Sequence, residues 1–117
     1  MEISEVKAEP FSCDTAELLD FSDLEDCRLK SVCDHSIERV EAVRKAYPGV
    51  ETVTAVEDLI SDPEIEAIAV ATPAATHYDL AMRILEAGKS VFVEKPLARS
   101  TRECDALIER AETLGLT

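Results

Sequence analysis

The sequence predicts an α/β fold built on a doubly wound parallel sheet, because short apolar runs alternate with amphipathic helical patterns from residue 28 onward. The clearest run is Ala-Ile-Ala-Val-Ala at residues 67–71, and such an unbroken run is typical of a strand that is covered on both faces of a parallel sheet. Further strands are predicted at residues 28–33, 50–53 and 91–93, and the last of these is also expected to be buried. Strands separated by single helices indicate β-α-β units.

Polar residues mark the starts of the predicted helices. Ser36 is placed to cap the first helix, which ends at Pro48-Gly49. The later helices begin with the capping-box spacing, in which serine or threonine precedes an acidic residue by three positions, at Thr54 with Glu57, Thr76 with Asp79, and Ser100 with Glu103. The apolar positions expected to face the sheet are Ile37, Val40, Val43 and Tyr47 in the first helix, Tyr78, Ala81, Ile84 and Leu85 in the third, and Leu107, Ile108, Ala111 and Leu114 in the fourth.

The beginning of the chain differs from the rest and divides the sequence into an atypical segment at 1–25 and a partial domain at 26–117. Residues 1–10 contain no sustained apolar run, and Pro10 would interrupt a central strand. Residues 15–24 could form a helix. We therefore expect an incomplete domain whose first strand is not recognisable, and a sheet that lacks a central strand would expose backbone for self-association.

Composition excludes several classes of function. The net charge of -13 argues against nucleic acid and anionic membranes as partners, because both are bound through clusters of lysine and arginine. No apolar run approaches the roughly 20 residues of a membrane span, and the N-terminus lacks a secretory signal, so we expect a cytoplasmic protein. The four cysteines lack the spacing and the histidines of a zinc site, which indicates reduced structural thiols and no metal.

Asp34 ends the first predicted strand after residue 28. A carboxylate at that position of a doubly wound sheet can accept hydrogen bonds from the hydroxyls of an adenosine ribose and repel a 2'-phosphate, which favours NAD over NADP. His35 and Arg39 leave NADP open as the alternative cofactor. The alternative role for Asp34 is structural, namely that it caps the following helix together with Ser36.

The glycine-rich phosphate loop that should precede Asp34 by about 20 positions is missing. Residues 11–16 contain no glycine, and the glycines of the chain, at 49, 88 and 115, are too far apart for such a loop. Phosphates need close approach to unhindered backbone N–H groups at a helix N-terminus, and Asp14 would place a negative charge against them. We therefore expect cofactor binding by this chain to be weak or absent.

Two more segments follow strands at the edge where open α/β sheets bind ligands. Residues 71–77 read Ala-Thr-Pro-Ala-Ala-Thr-His, so Thr72 and Pro73 could turn against the nicotinamide ribose, while His77 could equally be a surface or packing histidine. In Glu94-Lys95-Pro96, Lys95 could hold a substrate hydroxyl or relay its proton and Glu94 could bind cofactor or orient Lys95. The alternative for that pair is a surface ion pair.

Together these motifs resemble the Gfo/Idh/MocA family of oxidoreductases. The likeness runs from about residue 26 to 116, and its most specific marks are Ala-Thr-Pro-Ala-Ala-Thr-His and Val-Glu-Lys-Pro-Leu-Ala. The resemblance implies an NAD(P)-binding Rossmann-like domain, hydride transfer to or from a sugar, a cyclitol or a nucleotide sugar, and a second domain that supplies the rest of the substrate site. By the same resemblance Lys95 is the catalytic lysine, and Asp34, Thr72, Pro73, His77 and Glu94 lie on the cofactor side.

The sequence departs from that family at its beginning and in its length. A chain of 117 residues holds one domain, so we expect a gene fragment that is inactive alone, with an N-terminus altered by a shift of reading frame. A non-catalytic remnant of the fold and an interaction module with little cofactor binding are the alternatives.

Overall fold

A single parallel sheet organises the part of the chain that the computed structural model describes, residues 2–7 and 28–117. Its strands lie in the order β3-β2-β1-β4-β5, and every neighbouring pair is parallel. This arrangement confirms the predicted α/β class with a doubly wound sheet. The strands are β1 (Glu2–Lys7), β2 (Arg28–Asp34), β3 (Glu51–Val53), β4 (Ala67–Ala71) and β5 (Ser90–Val93).

Helices connect the strands from β2 to β5, as the alternating pattern predicts, and a last helix follows β5. Because each connecting helix crosses back between two parallel strands, it packs on a face of the sheet. The helices are α1 (Ile37–Ala46), α2 (Val56–Ile60), α3 (His77–Glu86), which follows a 3₁₀ turn at Ala74–Thr76, and α4 (Thr101–Leu114).

The central strand is the main correction to the sequence analysis. Residues 2–7 form β1, which pairs with β2 on one side and with β4 on the other. The strand that is not recognisable in the sequence is therefore present, and the reason given for self-association is wrong, since the sheet does not lack a central strand. The helix expected at residues 15–24 and the position of the missing glycine loop at 11–16 lie outside the described residues.

The predicted helix caps are only partly realised. Ser100 accepts a hydrogen bond from the Glu103 N–H at 3.2 Å, as the capping box requires. The pair Thr54 with Glu57 is wrong, because α2 begins after Ala55, and the other two predicted caps, Ser36 and Thr76, make no side-chain capping bond. At Thr76 the hydroxyl instead donates to the Pro73 carbonyl at 2.7 Å.

The core lies on both faces of β4, whose middle residues Ile68, Ala69 and Val70 are 0–4% exposed. This confirms a strand covered on both sides. By contrast, the expectation that β5 is buried is wrong for Phe92, which is 64% exposed because Val91 and Val93 pack against the core and alternation points Phe92 to the opposite face. Three helical positions predicted to face inward are also exposed: Ile37, Ile108 and Leu114.

The amino ends of the strands are held by a cluster of charged residues that we call the amino-edge cluster, Lys30, Lys89, Asp62 and Glu64. Lys30 is the extra residue of a β-bulge between β1 and β2, and its ammonium binds the Asp62 carboxylate and lies 3.1 Å from Glu64 Oε2. Lys89 is buried and donates to the carbonyl oxygens of Asp62 at 2.6 Å and Ile65 at 2.8 Å. The segment before β4 is thus fastened by two lysines.

The pKa values of Asp62 and Lys89 are shifted within this cluster. The hydrogen bond from Lys30 lowers the pKa of the Asp62 carboxyl, and burial lowers the pKa of the Lys89 ammonium although Asp62 acts in the opposite direction. A carboxyl whose pKa is lowered by folding stabilises the fold above its unfolded pKa, near 3.9, and this stability is lost as the pH falls through the folded value.

We therefore expect Lys30→Met to flatten the acid end of the stability profile. In the unaltered chain the free energy of unfolding should fall as the pH drops from about 5 to about 2, and this fall should be shallower in Lys30→Met because the main cause of the lowered Asp62 pKa is gone. Urea unfolding at several pH values measures it, with the exposed Lys45→Met as the control. If the free energy of unfolding fell equally steeply with pH in Lys30→Met and the unaltered chain, the ion pair would not be what lowers the pKa of Asp62.

Candidate functional site

The predicted site residues follow strands that end at one edge of the sheet. Lys7, the last residue of β1, pairs with Asp34 on one side and Ala71 on the other, and Val70 pairs with Val93. Strand neighbours are about 4.8 Å apart, so the ends of β2 and β5 are separated by roughly 14 Å across the sheet. The strand order reverses direction between β1 and β4, which makes this carboxyl edge the position where open α/β sheets bind ligands.

Asp34 is 2% exposed, and both of its carboxylate oxygens already have partners. Oδ1 accepts the Ser36 N–H at 2.9 Å, and Oδ2 lies 3.5 Å from Nη1 of Arg39. The structural role considered for Asp34 is therefore realised only in part, since Asp34 satisfies the backbone N–H of Ser36 just before α1 but the Ser36 side chain makes no capping bond. Each carboxylate oxygen has two lone pairs, so acceptor capacity for a ribose hydroxyl remains.

Hydrogen bonds of two threonine hydroxyls hold the turn after β4 together. Thr72, which is buried, has its Oγ1 2.6 Å from Oγ1 of Thr76, and the Thr76 N–H and hydroxyl both bond the Pro73 carbonyl, at 2.9 Å and 2.7 Å. These bonds fix the backbone of Thr72 and Pro73 before any ligand is present. A fixed turn is suited to holding a ligand because little conformational entropy remains to be lost.

His77 begins α3 and is 1% exposed. Its Nδ1 lies 2.6 Å from the Pro96 carbonyl oxygen, and its Nε2 lies 2.6 Å from the Thr72 carbonyl oxygen. The ring therefore lies between the turn after β4 and the turn after β5. The sequence offered no sign of this, because both partners are backbone atoms that every residue carries.

Glu94, Lys95 and Pro96 form the turn after β5, and all three are exposed. The Glu94 N–H donates to the Val70 carbonyl at 3.0 Å, which extends the pairing of β5 with β4 by one residue, and the Lys95–Pro96 peptide bond is cis. Lys95 therefore stands at the carboxyl edge of the sheet next to the Thr72 turn. The structure brings the turns after β4 and β5 together on one side, and Asp34, at the end of β2, lies two strands from β4 and three from β5.

The described residues contain no group of three or more histidine, cysteine or acidic side chains that could hold a metal ion. None of their helices is long and apolar enough to cross a membrane. Cys33 and Cys104 are free thiols, and burial, followed by the charge of Asp34, raises the pKa of Cys33 to about 11.

Comparison with known proteins supplies the family. The family model GFO_IDH_MocA, an oxidoreductase family with an NAD-binding Rossmann fold, matches residues 3–117. The scyllo-inositol 2-dehydrogenase (NADP(+)) IolW of Bacillus subtilis (strain 168) is 36% identical over 78 residues, which cover 67% of this chain and 22% of that protein. The scyllo-inositol 2-dehydrogenase (NAD(+)) of the same strain is 39% identical over 59 residues, which cover 50% of this chain and 17% of that protein.

A solved structure shares the fold of this chain. The crystal structure of a Bacteroides fragilis protein superposes with a TM-score of 0.83 at 33% identity, covering 100% of this chain and 36% of that chain. The chain thus spans about a fifth of the length of the two curated relatives described. The family match begins at residue 3, so it includes β1, which precedes the region where the sequence motifs become recognisable.

The raised pKa of Cys33 predicts an unreactive thiol. At pH 8 only roughly one thiol in a thousand is ionised if its pKa is about 11, so alkylation of Cys33 in the folded chain should be at least about 100-fold slower than in urea. Peptide mapping after timed iodoacetamide treatment measures this, with the half-buried Cys104 as an internal comparison. Labelling of Cys33 at the Cys104 rate would contradict the buried placement.

Proposed function

This chain belongs to the Gfo/Idh/MocA family of oxidoreductases and has the family's NAD-binding Rossmann fold, and we propose that its carboxyl edge holds the two ribose ends of a nicotinamide dinucleotide. The observation that carries this proposal is the register of the sheet, which places the residues after β2, β4 and β5 along one edge. The proposed cofactor-binding residues are Asp34, Thr72, Pro73, His77 and Glu94.

Asp34 is proposed to hold the adenosine ribose. Its carboxylate is fixed by the Ser36 N–H and keeps unused lone pairs, which fits a diol as hydrogen-bond donor. A 2'-phosphate would bring about 1.5–2 further negative charges against it, so NAD is preferred to NADP. Arg39, close to Asp34, offsets part of that repulsion, and the relatives named above include one enzyme for each cofactor.

Lys95 is proposed as the catalytic residue at the other end of the site. The bound cofactor would supply or accept the hydride, and Lys95 would hold the substrate oxygen. The neutral amine would take the hydroxyl proton when the substrate is oxidised, and the ammonium would return a proton to the carbonyl oxygen when it is reduced. The fixed Thr72–Pro73 turn and Glu94 are proposed to limit where the nicotinamide ribose can lie. Since the relatives named above act on scyllo-inositol, we propose a cyclitol or sugar-like substrate.

The phosphate-binding part of the site fits less well. Between β1 and β2 the sequence contains no glycine, whereas close backbone approach to a pyrophosphate requires residues without side chains. Asp14, Glu17, Asp20, Asp23, Glu25 and Asp26 add negative charge to the same segment. We therefore propose that this chain alone binds the dinucleotide weakly and does not turn over substrate, which leaves a non-catalytic remnant of the fold as the second candidate.

Titration of the purified chain with NADH is expected to show no saturation below about 1 mM, because the ribose contacts lack phosphate contacts beside them. Nicotinamide fluorescence or calorimetry measures the binding. A micromolar dissociation constant would contradict the argument from the missing glycines. The absence of any binding together with concentration-dependent self-association would instead favour an interaction module.

Amide chemical shifts at millimolar nucleotide test the role of Asp34. NAD⁺ should shift the signals of His35 and Ser36 at concentrations at least about tenfold below those of NADP⁺, because like charges placed together cost several kcal/mol. Asp34→Asn should narrow that ratio while keeping Oδ1 for the Ser36 N–H. The exposed acidic residue Glu38, in the first turn of α1, gives the control Glu38→Gln. A ratio unchanged by Asp34→Asn would show that Asp34 does not select the cofactor.

A further inference from the structure

The placement of His77 is not explained by contact with a cofactor alone. The ring is 1% exposed, and both of its nitrogens lie 2.6 Å from backbone carbonyl oxygens, those of Pro96 and Thr72. Both ring nitrogens already face protein atoms, so beyond its proposed place on the cofactor side His77 connects two turns of the site.

The two contacts connect different parts of the chain. Thr72 lies only 5 positions before His77, so the Nε2 contact is local, whereas Pro96 lies 19 positions away and belongs to the turn after β5. The Nδ1 contact therefore ties the start of α3 to the turn that carries Lys95. Ala81, Ile84 and Leu85 of the same helix are buried in the core, so the helix that carries the ring is held in place.

Lys95 lies between two anchored neighbours. On one side the Glu94 N–H bonds the Val70 carbonyl at 3.0 Å, and on the other side the Pro96 carbonyl faces Nδ1 of His77. The anchored peptide groups, Val93–Glu94 and Pro96–Leu97, each lie one peptide bond beyond those that flank Lys95, so they restrict the short stretch of backbone that carries its side chain. The Nδ1 contact joins this stretch to the start of α3 beside the Thr72 turn.

Donor accounting defines the ring states that can hold the Pro96 carbonyl. A carbonyl oxygen can only accept, so each contact is a hydrogen bond only when the nitrogen concerned carries an N–H. The imidazolium can bond both carbonyl oxygens, whereas a neutral ring bonds Pro96 as the Nδ1–H tautomer or Thr72 as the Nε2–H tautomer. The bond to Pro96 therefore requires the imidazolium or the Nδ1–H tautomer.

We propose that His77 is a positioning residue whose Nδ1–H holds the Pro96 carbonyl and thereby sets the place of Lys95 beside the Thr72–Pro73 turn. The relevance of this contact to catalysis rests on the proposed function of Lys95, but the contact itself does not. Its test uses no cofactor, so it can fail while the proposed function stands, and the converse also holds.

The unaltered chain provides the first measurement. It contains two histidines, and the side chain of the other, His35, is 63% exposed. In proton and nitrogen NMR spectra of the labelled chain, His77 should show a slowly exchanging ring N–H signal at Nδ1 with a nuclear Overhauser effect to Pro96, and His35 should show none. The absence of such a signal for His77 would overturn the proposal without any substitution.

Three variants of His77 separate positioning from general stability. His77→Phe keeps a ring without donors, and the backbone order parameters of Lys95 and Leu97 should fall from about 0.85 to about 0.6 or below. His77→Asn places an amide nitrogen near the position of Nδ1 and should keep the native values, whereas His77→Gln reaches toward the position of Nε2 and should resemble His77→Phe. In all three variants the β4 amides of Ile68 and Val70 should stay near 0.85.

Each contrary result overturns the proposal. Order parameters at Lys95 and Leu97 that are unchanged in His77→Phe would show that the contact does not hold the turn. Equal loss of order in β4 would show a general structural role, and equal behaviour of His77→Asn and His77→Gln would show that Nδ1 is not the relevant atom. His35→Gln serves as the matched control and should change none of these signals.

Discussion

The pairing of β1 with both of its neighbours determines where every candidate residue of this domain stands. Lys7 is the register partner of Asp34 in β2 and of Ala71 in β4, so these strands end level with one another. In a parallel sheet the residues that follow such strands meet at one edge, and a slip of one residue in either ladder would also exchange the two faces of the strand. The positions of the proposed cofactor-binding residues therefore depend on a strand that contributes none of them.

The same strand marks the limit of prediction from sequence. β4 was recognisable because a strand covered on both faces is apolar at every position, but β1 reads Glu-Ile-Ser-Glu-Val-Lys and has only two apolar residues in six. Strand preference depends on pairing more than on composition, and β1 gains backbone partners on both sides. Such pairing involves residues 25 or more positions away and leaves no local pattern.

The candidate site shows a similar division. Strand ends are marked in the sequence, so Asp34, Thr72 and Lys95 could be placed at one edge before the structure was known. Their hydrogen bonds could not, because short polar side chains have several backbone groups within reach. Thus Thr76 bonds the Pro73 carbonyl instead of capping α3, and the Ser36 N–H donates to Asp34 while the Ser36 side chain makes no capping bond.

Lys89 illustrates how unevenly a contact can constrain the two segments it joins. Its ammonium donates hydrogen bonds to the carbonyl oxygens of Asp62 and Ile65. These oxygens belong to the backbone, so they would remain if either side chain were replaced. The lysine, in contrast, has no equivalent among uncharged residues, because only a long side chain with several N–H donors can reach both oxygens. Among members of this family, substitutions should therefore be tolerated more readily at positions 62 and 65 than at position 89, although all three residues take part in one contact.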